Sequence, residues 1–166
     1  VVRHWLAGLD TAIGGHGTVV ALVGPPGIGK SRITREVAAV AASRGVDVFW
    51  TFCQSHTSEV PFGAATELLR SFFGVTGQPL ESARAATRAA LPTADPEDLR
   101  LLDEMLGIAG DGPAVADIDP DARNRRLTAL LDSALLSRRD PAMYVVEDAH
   151  WIDGVSEAMV SDFLAA

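Results

Sequence analysis

Cysteine is almost absent from this 166-residue sequence, and so are several other features that would assign it to a class. Cys53 is the single cysteine, which excludes an internal disulfide and suits a reducing cytoplasm. Basic residues are few, since 14 Lys and Arg stand against 22 Asp and Glu for a net charge of −8. A broad positive surface that would attract nucleic acid or anionic lipid is therefore not expected.

Long apolar runs are also missing. No run reaches the roughly 20 residues that a membrane-spanning helix needs, and the first residues show no charged region followed by an apolar one, as a signal peptide would. We therefore expect a cytoplasmic protein without membrane contact. The 48% hydrophobic content and the length favour a single globular domain with a substantial core.

Glycine and proline are concentrated in one stretch, GPPGIGKS at residues 24–31. It matches the Walker A pattern of Gly, four residues, Gly, Lys and Ser or Thr. The apolar, β-branched residues 18–23 predict a buried strand before it, and residues 33–42 predict a helix after it. A plain Gly/Pro-rich turn is the alternative, but the Lys-Ser pair and the strand, loop and helix order favour a phosphate-binding loop.

The residue types explain how such a loop would bind phosphate. Gly24, Gly27 and Gly29 lack a Cβ, so the backbone can take positive φ values and turn several N–H groups toward an anion at the start of a helix. Lys30 would add a mobile positive charge near the β- and γ-phosphates. The Ser31 hydroxyl would be a ligand for a Mg²⁺ that keeps most of its water.

The remaining pattern predicts helices and strands in alternation. Residues 46–53 and 143–148 are apolar, β-branched strands, and a parallel right-handed crossover is expected between the strand before the loop and the one after its helix. Cys53 is interpreted as a small core residue. Helical spacing of apolar residues predicts helices over residues 1–13, 62–73, 81–91, 95–106, 121–139 and 156–164, with a loop over 107–120.

A second group of functional residues closes the strand at 143–148. Glu147 and Asp148 follow an apolar run, which is the Walker B arrangement of a carboxylate at a strand end near a bound metal. By position Glu147 would lie on the metal side and Asp148 on the side of the attacking water. Adjacent strand residues point to opposite sides, so the two roles could be exchanged.

Three segments together resemble a known family: GPPGIGKSR, VPFGAATELLRSFFG and YVVEDAHWID. They are similar to the P-loop ATPase module of the STAND class within the AAA+-like NTPases. Such modules occur beside class III adenylate or guanylate cyclase domains and in large ATP-binding transcription regulators. The resemblance spans nearly the whole chain. It implies an α/β P-loop NTPase fold, with a largely parallel sheet and helices on both faces.

The resemblance also implies a site for ATP and Mg²⁺. Lys30, Glu147 and Asp148 would be catalytic, and Ser31, Glu147 and Asp148 would hold the metal; Glu147 occupies a position where Asp is more usual in P-loop enzymes. The residues expected to contact the nucleotide are Gly24, Pro25, Pro26, Gly27, Ile28, Gly29, Lys30, Ser31 and Arg32.

The function implied by the resemblance is a slowly hydrolysing, ATP-dependent switch in signal transduction. It would pass its nucleotide state to a cyclase or DNA-binding output domain of the same full-length protein, without binding nucleic acid itself, and it could form nucleotide-dependent homo-oligomers. The alternatives are a working ATPase or kinase and a non-hydrolysing nucleotide sensor. The family pattern begins with a Gly-Arg-Glu motif and continues into further strands and a helical lid, so residues 1–166 are expected to be an incomplete domain.

Overall fold

The computed structural model describes residues 2–56, 58–110, 118–136 and 138–165 of the chain. The predicted helices and two of the predicted strands are present, although residues 111–117 of the predicted loop lie outside the described part. The elements in chain order are α1 (Val2–Ile13), α2 (Lys30–Ser43), β1 (Asp47–Phe52), α3 (Gly63–Phe72), α4 (Leu80–Ala90), α5 (Pro96–Met105), α6 (Pro120–Leu136), β2 (Ala142–Glu147), a 3-10 turn (Ala149–Trp151) and α7 (Gly154–Ala165).

The two strands form a parallel pair. Asp47 lies opposite Ala142, and the register continues to Phe52 opposite Glu147. Parallel strands end at the same edge of a sheet, so the chain leaves β1 and β2 side by side. This arrangement confirms the predicted α/β class with a parallel sheet.

Helices cover both faces of this pair. Val48 and Met143 contact a cluster made by Leu9 of α1 and Ala41 of α2. On the other face, the Phe49 ring lies 5.3 Å from that of Phe72 in α3. Successive strand residues point to opposite faces, so the alternation along β1 distributes α1 and α2 to one side and α3 to the other.

A second core lies among the helices. Its buried residues come from α3 to α6 and the turns between them, and they are Leu69, Phe73, Val75, Ala83, Leu91, Leu99, Leu102, Leu106, Ile108, Leu130, Leu131 and Ala134. Asp95 is the N-cap of α5, since its side chain accepts a hydrogen bond from the Glu97 amide. Over the described ranges, the structure contains no helix with both the length and the apolar character needed to cross a bilayer.

The strand predicted over residues 18–23 is not formed. The segment is irregular, and it makes no backbone hydrogen bond to the described part of the chain. Val20 and Leu22 are half-buried, whereas Val19 is 66% and Val23 is 92% exposed. Alternating apolar residues favour an extended backbone, but a strand also requires a neighbour for its ladder, and neither β1 nor β2 pairs with this segment. The crossover predicted from it is therefore not formed either.

The predicted end of the long helix also differs from the structure. Helix α6 ends at Leu136, so Arg138 and Arg139 do not belong to its last turn. The Arg138 guanidinium instead forms an ion pair with Asp47 and lies 5.2 Å from the centre of the Phe49 ring. Charge pairing and cation–π attraction thus hold Arg138 at the start of β1.

One buried ion pair joins α4 to α5. Asp103 is 2% exposed and accepts two hydrogen bonds from the Arg88 guanidinium, while Arg84 Nε lies 3.4 Å from Asp103 Oδ2. A carboxylate at this depth requires its cationic partners, because desolvation of an unpaired charge is costly.

A second buried carboxylate joins α3 to α7. Asp153 is 3% exposed, and its Oδ1 accepts hydrogen bonds from the Phe62 amide at 3.0 Å and the Ser156 amide at 2.9 Å. Its Oδ2 accepts one from the Ala64 amide at 3.2 Å. Burial raises the pKa of Asp153, but hydrogen bonds from Ser156, Ala64 and Phe62 outweigh it, and the pKa lies below its ordinary value of 3.8.

The ion pair at Asp103 gives a first prediction. Replacing Arg88 by Met should lower the free energy of unfolding by about 3–5 kcal/mol, towards the smaller value because Arg84 stays near the carboxylate. Arg44→Met is the control: its pair with Asp10 is exposed, so about 0–1 kcal/mol is expected. Urea denaturation measures both, and equal losses would contradict burial as the cause.

The pKa of Asp153 gives a second prediction. Its lowered folded-state pKa means that the charged form stabilises the fold fully above the unfolded pKa, and that this stabilisation is lost as the pH falls through the folded pKa. Asp153→Asn should therefore be less stable by about 1–3 kcal/mol at pH 7, and the difference from wild type should shrink below about pH 4. Denaturation at a series of pH values measures this.

The exposed Asp162 on α7 supplies the control for that experiment. Asp162→Asn should stay within a few tenths of a kcal/mol of wild type at each pH, as is usual for exposed surface positions. A difference between wild type and Asp153→Asn that is constant with pH would mean that the carboxylate charge does not stabilise the fold.

Candidate nucleotide site

The loop predicted to bind phosphate has the backbone shape that its glycines permit, with one exception. Gly27 and Gly29 have φ values of 78° and 95°, which is the left-handed region that side chains disfavour. Gly24 does not adopt a positive φ, contrary to the prediction. It is instead a point of close approach, because a Cβ there would lie 3.3 Å from Ile28 Cγ2.

The start of α2 offers hydrogen-bond donors to an anion. Gly29 caps the helix without a side-chain hydrogen bond, and the first turn carries no acidic residue. In the described structure, the amide N–H groups of residues 27–32 make no hydrogen bond to another residue. Donors and the positive end of the helix dipole thus meet where the sequence predicts a phosphate.

Lys30 lies against this loop. Its Nζ donates hydrogen bonds to the carbonyl oxygens of Gly24 at 2.8 Å and Pro25 at 3.1 Å. The side chain is half-buried, and its ammonium lies over the start of the loop. The positive charge is at the predicted place, beside the glycine-rich turn.

Ser31 and Glu147 connect the two predicted motifs. The Ser31 hydroxyl donates a 2.7 Å hydrogen bond to Glu147 Oε2 at the end of β2. The other carboxylate oxygen, Oε1, is buried and has no hydrogen-bond partner among the described residues. A hydroxyl beside a carboxylate with an unpaired oxygen is a donor set that suits Mg²⁺, which prefers oxygen ligands and keeps several waters. These residues fit the metal that the sequence implies.

Asp148 lies outside the strand. Strand β2 ends at Glu147, one residue before the predicted end, and Asp148 begins a turn with φ at 54°. Its side chain is exposed, and its carbonyl oxygen accepts a 2.9 Å hydrogen bond from the Trp151 amide. The two acids therefore differ in setting, since Glu147 contacts Ser31 and Asp148 occupies an open turn.

The other predicted nucleotide contacts are on the surface. Pro25, Pro26 and Ile28 are exposed, with Ile28 at 64%. Arg32 points along α2 and forms an exposed ion pair with Glu36 at 3.0 Å. The structure does not bring these side chains to the acidic pair.

Cys53 borders the site without a reactive setting. It is 6% exposed, and its amide donates a 3.0 Å hydrogen bond to the Glu147 carbonyl. Burial, followed by the nearby Asp153 and Asp148 charges, raises the pKa of the thiol. The thiolate is therefore disfavoured, which agrees with the interpretation of Cys53 as a core residue.

The start of α3 is surrounded by Asp153, Ser156 and Thr51, for which the sequence predicts no role. Ser156 Oγ accepts a 3.0 Å hydrogen bond from the Ala65 amide, and Thr51 Oγ1 donates one of 2.9 Å to the Ala64 carbonyl. An Asp just before a helix is a recognisable N-cap signal for α7. Its contact with α3, about ninety positions earlier in the chain, has no local signal.

Comparison with known proteins agrees with this geometry. The family model described as "AAA ATPase domain" matches residues 4–166. A curated, uncharacterised protein of Rhizobium meliloti (strain 1021) is 30% identical over 158 residues; the match covers 92% of this chain and 15% of that protein. No solved structure matches the chain. The chain belongs to the AAA ATPase domain family and is a nucleotide-binding P-loop module.

Proposed function

We propose that this chain is an ATP·Mg²⁺-binding, slowly hydrolysing switch module of the STAND type. The observation that carries the proposal is the hydrogen bond between Ser31 and Glu147, because it brings the predicted phosphate loop to the predicted metal-side acid. The AAA ATPase family supports the nucleotide class. The sequence resemblance around residues 143–153 supports the narrower STAND assignment.

The phosphate chain would lie against the loop at residues 24–31. The unpaired amides at the start of α2 would donate to phosphate oxygens, and the Lys30 ammonium would exchange its bonds to Gly24 and Pro25 for bonds to phosphate. Its present partners are neutral carbonyls, and a charged oxygen is a stronger acceptor. Binding thus exchanges weaker bonds for stronger ones at a lysine that is already in place.

The metal would be held by Ser31 and Glu147. Mg²⁺, when bound with ATP, neutralises developing charge on the phosphates. In the protein, the Ser31 hydroxyl is bonded to Glu147 Oε2, and the buried Oε1 of the same carboxylate supplies a second oxygen atom without a partner among the described residues. We assign Glu147 to the metal side, because it is the acid that contacts Ser31.

Asp148 is then left to orient the attacking water. Its carboxylate is exposed at the edge of the same strand, one residue beyond Glu147. An acid that activates water must lie within hydrogen-bond reach of that water. Slow hydrolysis is proposed from the sequence resemblance, in keeping with a switch.

The proposal also includes a regulatory role within a longer protein. We propose that the module reports its nucleotide state to an output domain of the same full-length protein, such as a cyclase or DNA-binding domain, in the cytoplasm. The Rhizobium meliloti protein supports this, since the matched segment makes up 15% of its length. Nucleotide-dependent self-association remains part of the same hypothesis, and no direct contact with nucleic acid is proposed.

The proposed role of Lys30 can be tested by Lys30→Ala. We expect ATP affinity to fall by about 100-fold or more, because charged hydrogen bonds to phosphate are lost. Arg35→Ala is the control, since Arg35 is an exposed cation on the same helix and should leave affinity unchanged. Isothermal titration calorimetry measures both, with circular dichroism to verify folding. Unchanged affinity in Lys30→Ala would refute nucleotide binding by this loop.

The two acids should separate binding from hydrolysis. Asp148→Asn should keep Mg²⁺-dependent ATP binding while turnover falls by about 100-fold, and Glu147→Gln should weaken the Mg²⁺ dependence of binding. Calorimetry with and without Mg²⁺, and phosphate release, give the two readouts; Glu157→Gln on the exposed side of α7 is the control. The opposite pattern would exchange the roles. No phosphate release by wild type would favour the non-hydrolysing sensor.

A further inference from the structure

The start of α3 and the turn after β2 share an unusual backbone feature. Of the described non-glycine residues, only Phe62 and Asp148 have positive φ values, at 65° and 54°. Phe62 is bulky and disfavours this conformation strongly. Such conformations persist only where the surroundings determine them. Phe62 is therefore held by contacts outside its own local sequence, whereas Asp148 is of a residue type that adopts this conformation more readily.

Asp153 supplies contacts to both segments. Its Oδ1 accepts directly from the Phe62 amide, and its own backbone directly follows the turn that starts at Asp148 and ends at Ile152. Hydrogen bonds from Trp151 to Asp148 and from Ile152 to Ala149 make that turn a short, rigid unit. The buried Asp153 carboxylate, which follows the last residue of this turn, thus fixes the position of Asp148 at the first residue.

An N-cap role alone does not account for this geometry. A cap for α7 would need only the hydrogen bond from the Ser156 amide, which Asp153 accepts at 2.9 Å. Two of its three amide partners lie at the start of α3, since Phe62 is the N-cap of that helix and Ala64 is in its first turn. Helix α3 is in turn fixed to β1 by the Thr51 hydrogen bond to the Ala64 carbonyl. Asp153 therefore closes a ring of contacts from β1 through α3 to the turn after β2.

We propose that Asp153 is a positioning residue for Asp148: by fastening the 148–153 turn to the start of α3, it holds Asp148 in its left-handed conformation beside the nucleotide site. The proposal rests on the proposed function for the part that concerns hydrolysis, since Asp148 is taken there as the acid that orients water. The anchoring itself is a property of the chain without nucleotide.

Two variants separate anchoring from capping. Asp153→Ser keeps a good N-cap for Ser156 but is too short to serve the α3 amides as well, and Asp153→Asn removes the charge at equal size. Ser156→Ala is the comparison variant, because it removes the hydroxyl interactions with the Ala65 amide and with Asp153 and leaves the three amide bonds to Asp153. Each is made in the intact protein, and folding is verified by circular dichroism.

The first readout is amide hydrogen exchange without nucleotide. In Asp153→Ser and Asp153→Asn, we expect exchange at Trp151 and Ile152 to accelerate by about tenfold or more, together with residues 62–65, because the turn loses its anchor. Ser156→Ala should accelerate exchange at Ala65 and leave Trp151 and Ile152 unchanged, because the three amide bonds to Asp153 remain. Acceleration at residues 62–65 with Trp151 and Ile152 unchanged would overturn the proposal, because Asp153 would then act as a helix cap only.

The second readout is a double-mutant cycle on ATP turnover. Asp153→Asn should lower turnover by about tenfold while ATP affinity stays within about twofold, and it should cause no further loss in the Asp148→Asn background. Additive losses would overturn the link to Asp148. If Asp148→Asn leaves turnover unchanged, the role proposed for Asp148 is wrong, and the exchange measurement still decides whether Asp153 holds the turn.

Discussion

The parallel pairing of β1 with β2 is the constraint on which the site depends. It sets Phe52 opposite Glu147, so the chain leaves both strands at the same edge. The segment after β1 leads to the start of α3, and the segment after β2 contains Asp148 and Asp153. A slip of one residue would turn Glu147 to the opposite face, away from Ser31. The site therefore requires the same strand register as the core.

The core enforces this register. Val48 and Met143 on one face, and Phe49 with Tyr144 on the other, occupy matching positions of the two strands. The Phe49 and Tyr144 rings stack at 5.5 Å, and Arg138 lies over Phe49. Aromatic pairs across neighbouring strands favour one alignment over its alternatives. Packing at the start of the strands therefore fixes their register, and with it the positions of the functional residues at their ends.

Much of this arrangement could be predicted from local sequence. The helices have strong 3.6-residue periodicity, and the Walker A spacing identifies Lys30 and Ser31 without any structure. Strand pairing is not a local property, so residues 18–23 were wrongly predicted as a strand on their composition alone. The roles of Glu147 and Asp148 stayed open for a similar reason. The assignment of the two roles depends on where β2 ends, and strand ends are poorly defined by sequence.

Contacts between residues far apart in the chain could not be predicted from local sequence either. Nothing near Asp153 indicates that Phe62 and Ala64 donate to it, because the three meet only after β1 and β2 have paired. A buried carboxylate with three amide donors is stabilised by those donors and loses stability when one is removed. Its position is therefore determined by α3, and the position of α3 by Thr51 and the aromatic cluster around Phe49.

Several locally unfavourable features lie at this edge. Among the described residues, Glu147 Oε1 is buried without a partner, Phe62 and Asp148 have left-handed backbones, and the first amides of α2 make no protein hydrogen bond. A chain selected only for folding would replace them, whereas an anion and metal site needs free donors, a free carboxylate oxygen and fixed geometry. Helix α3 extends from this edge into the helical core through Leu69 and Phe73. A shift of that helix would move the amides that hold Asp153, so a physical route exists between the helical layer and the nucleotide site.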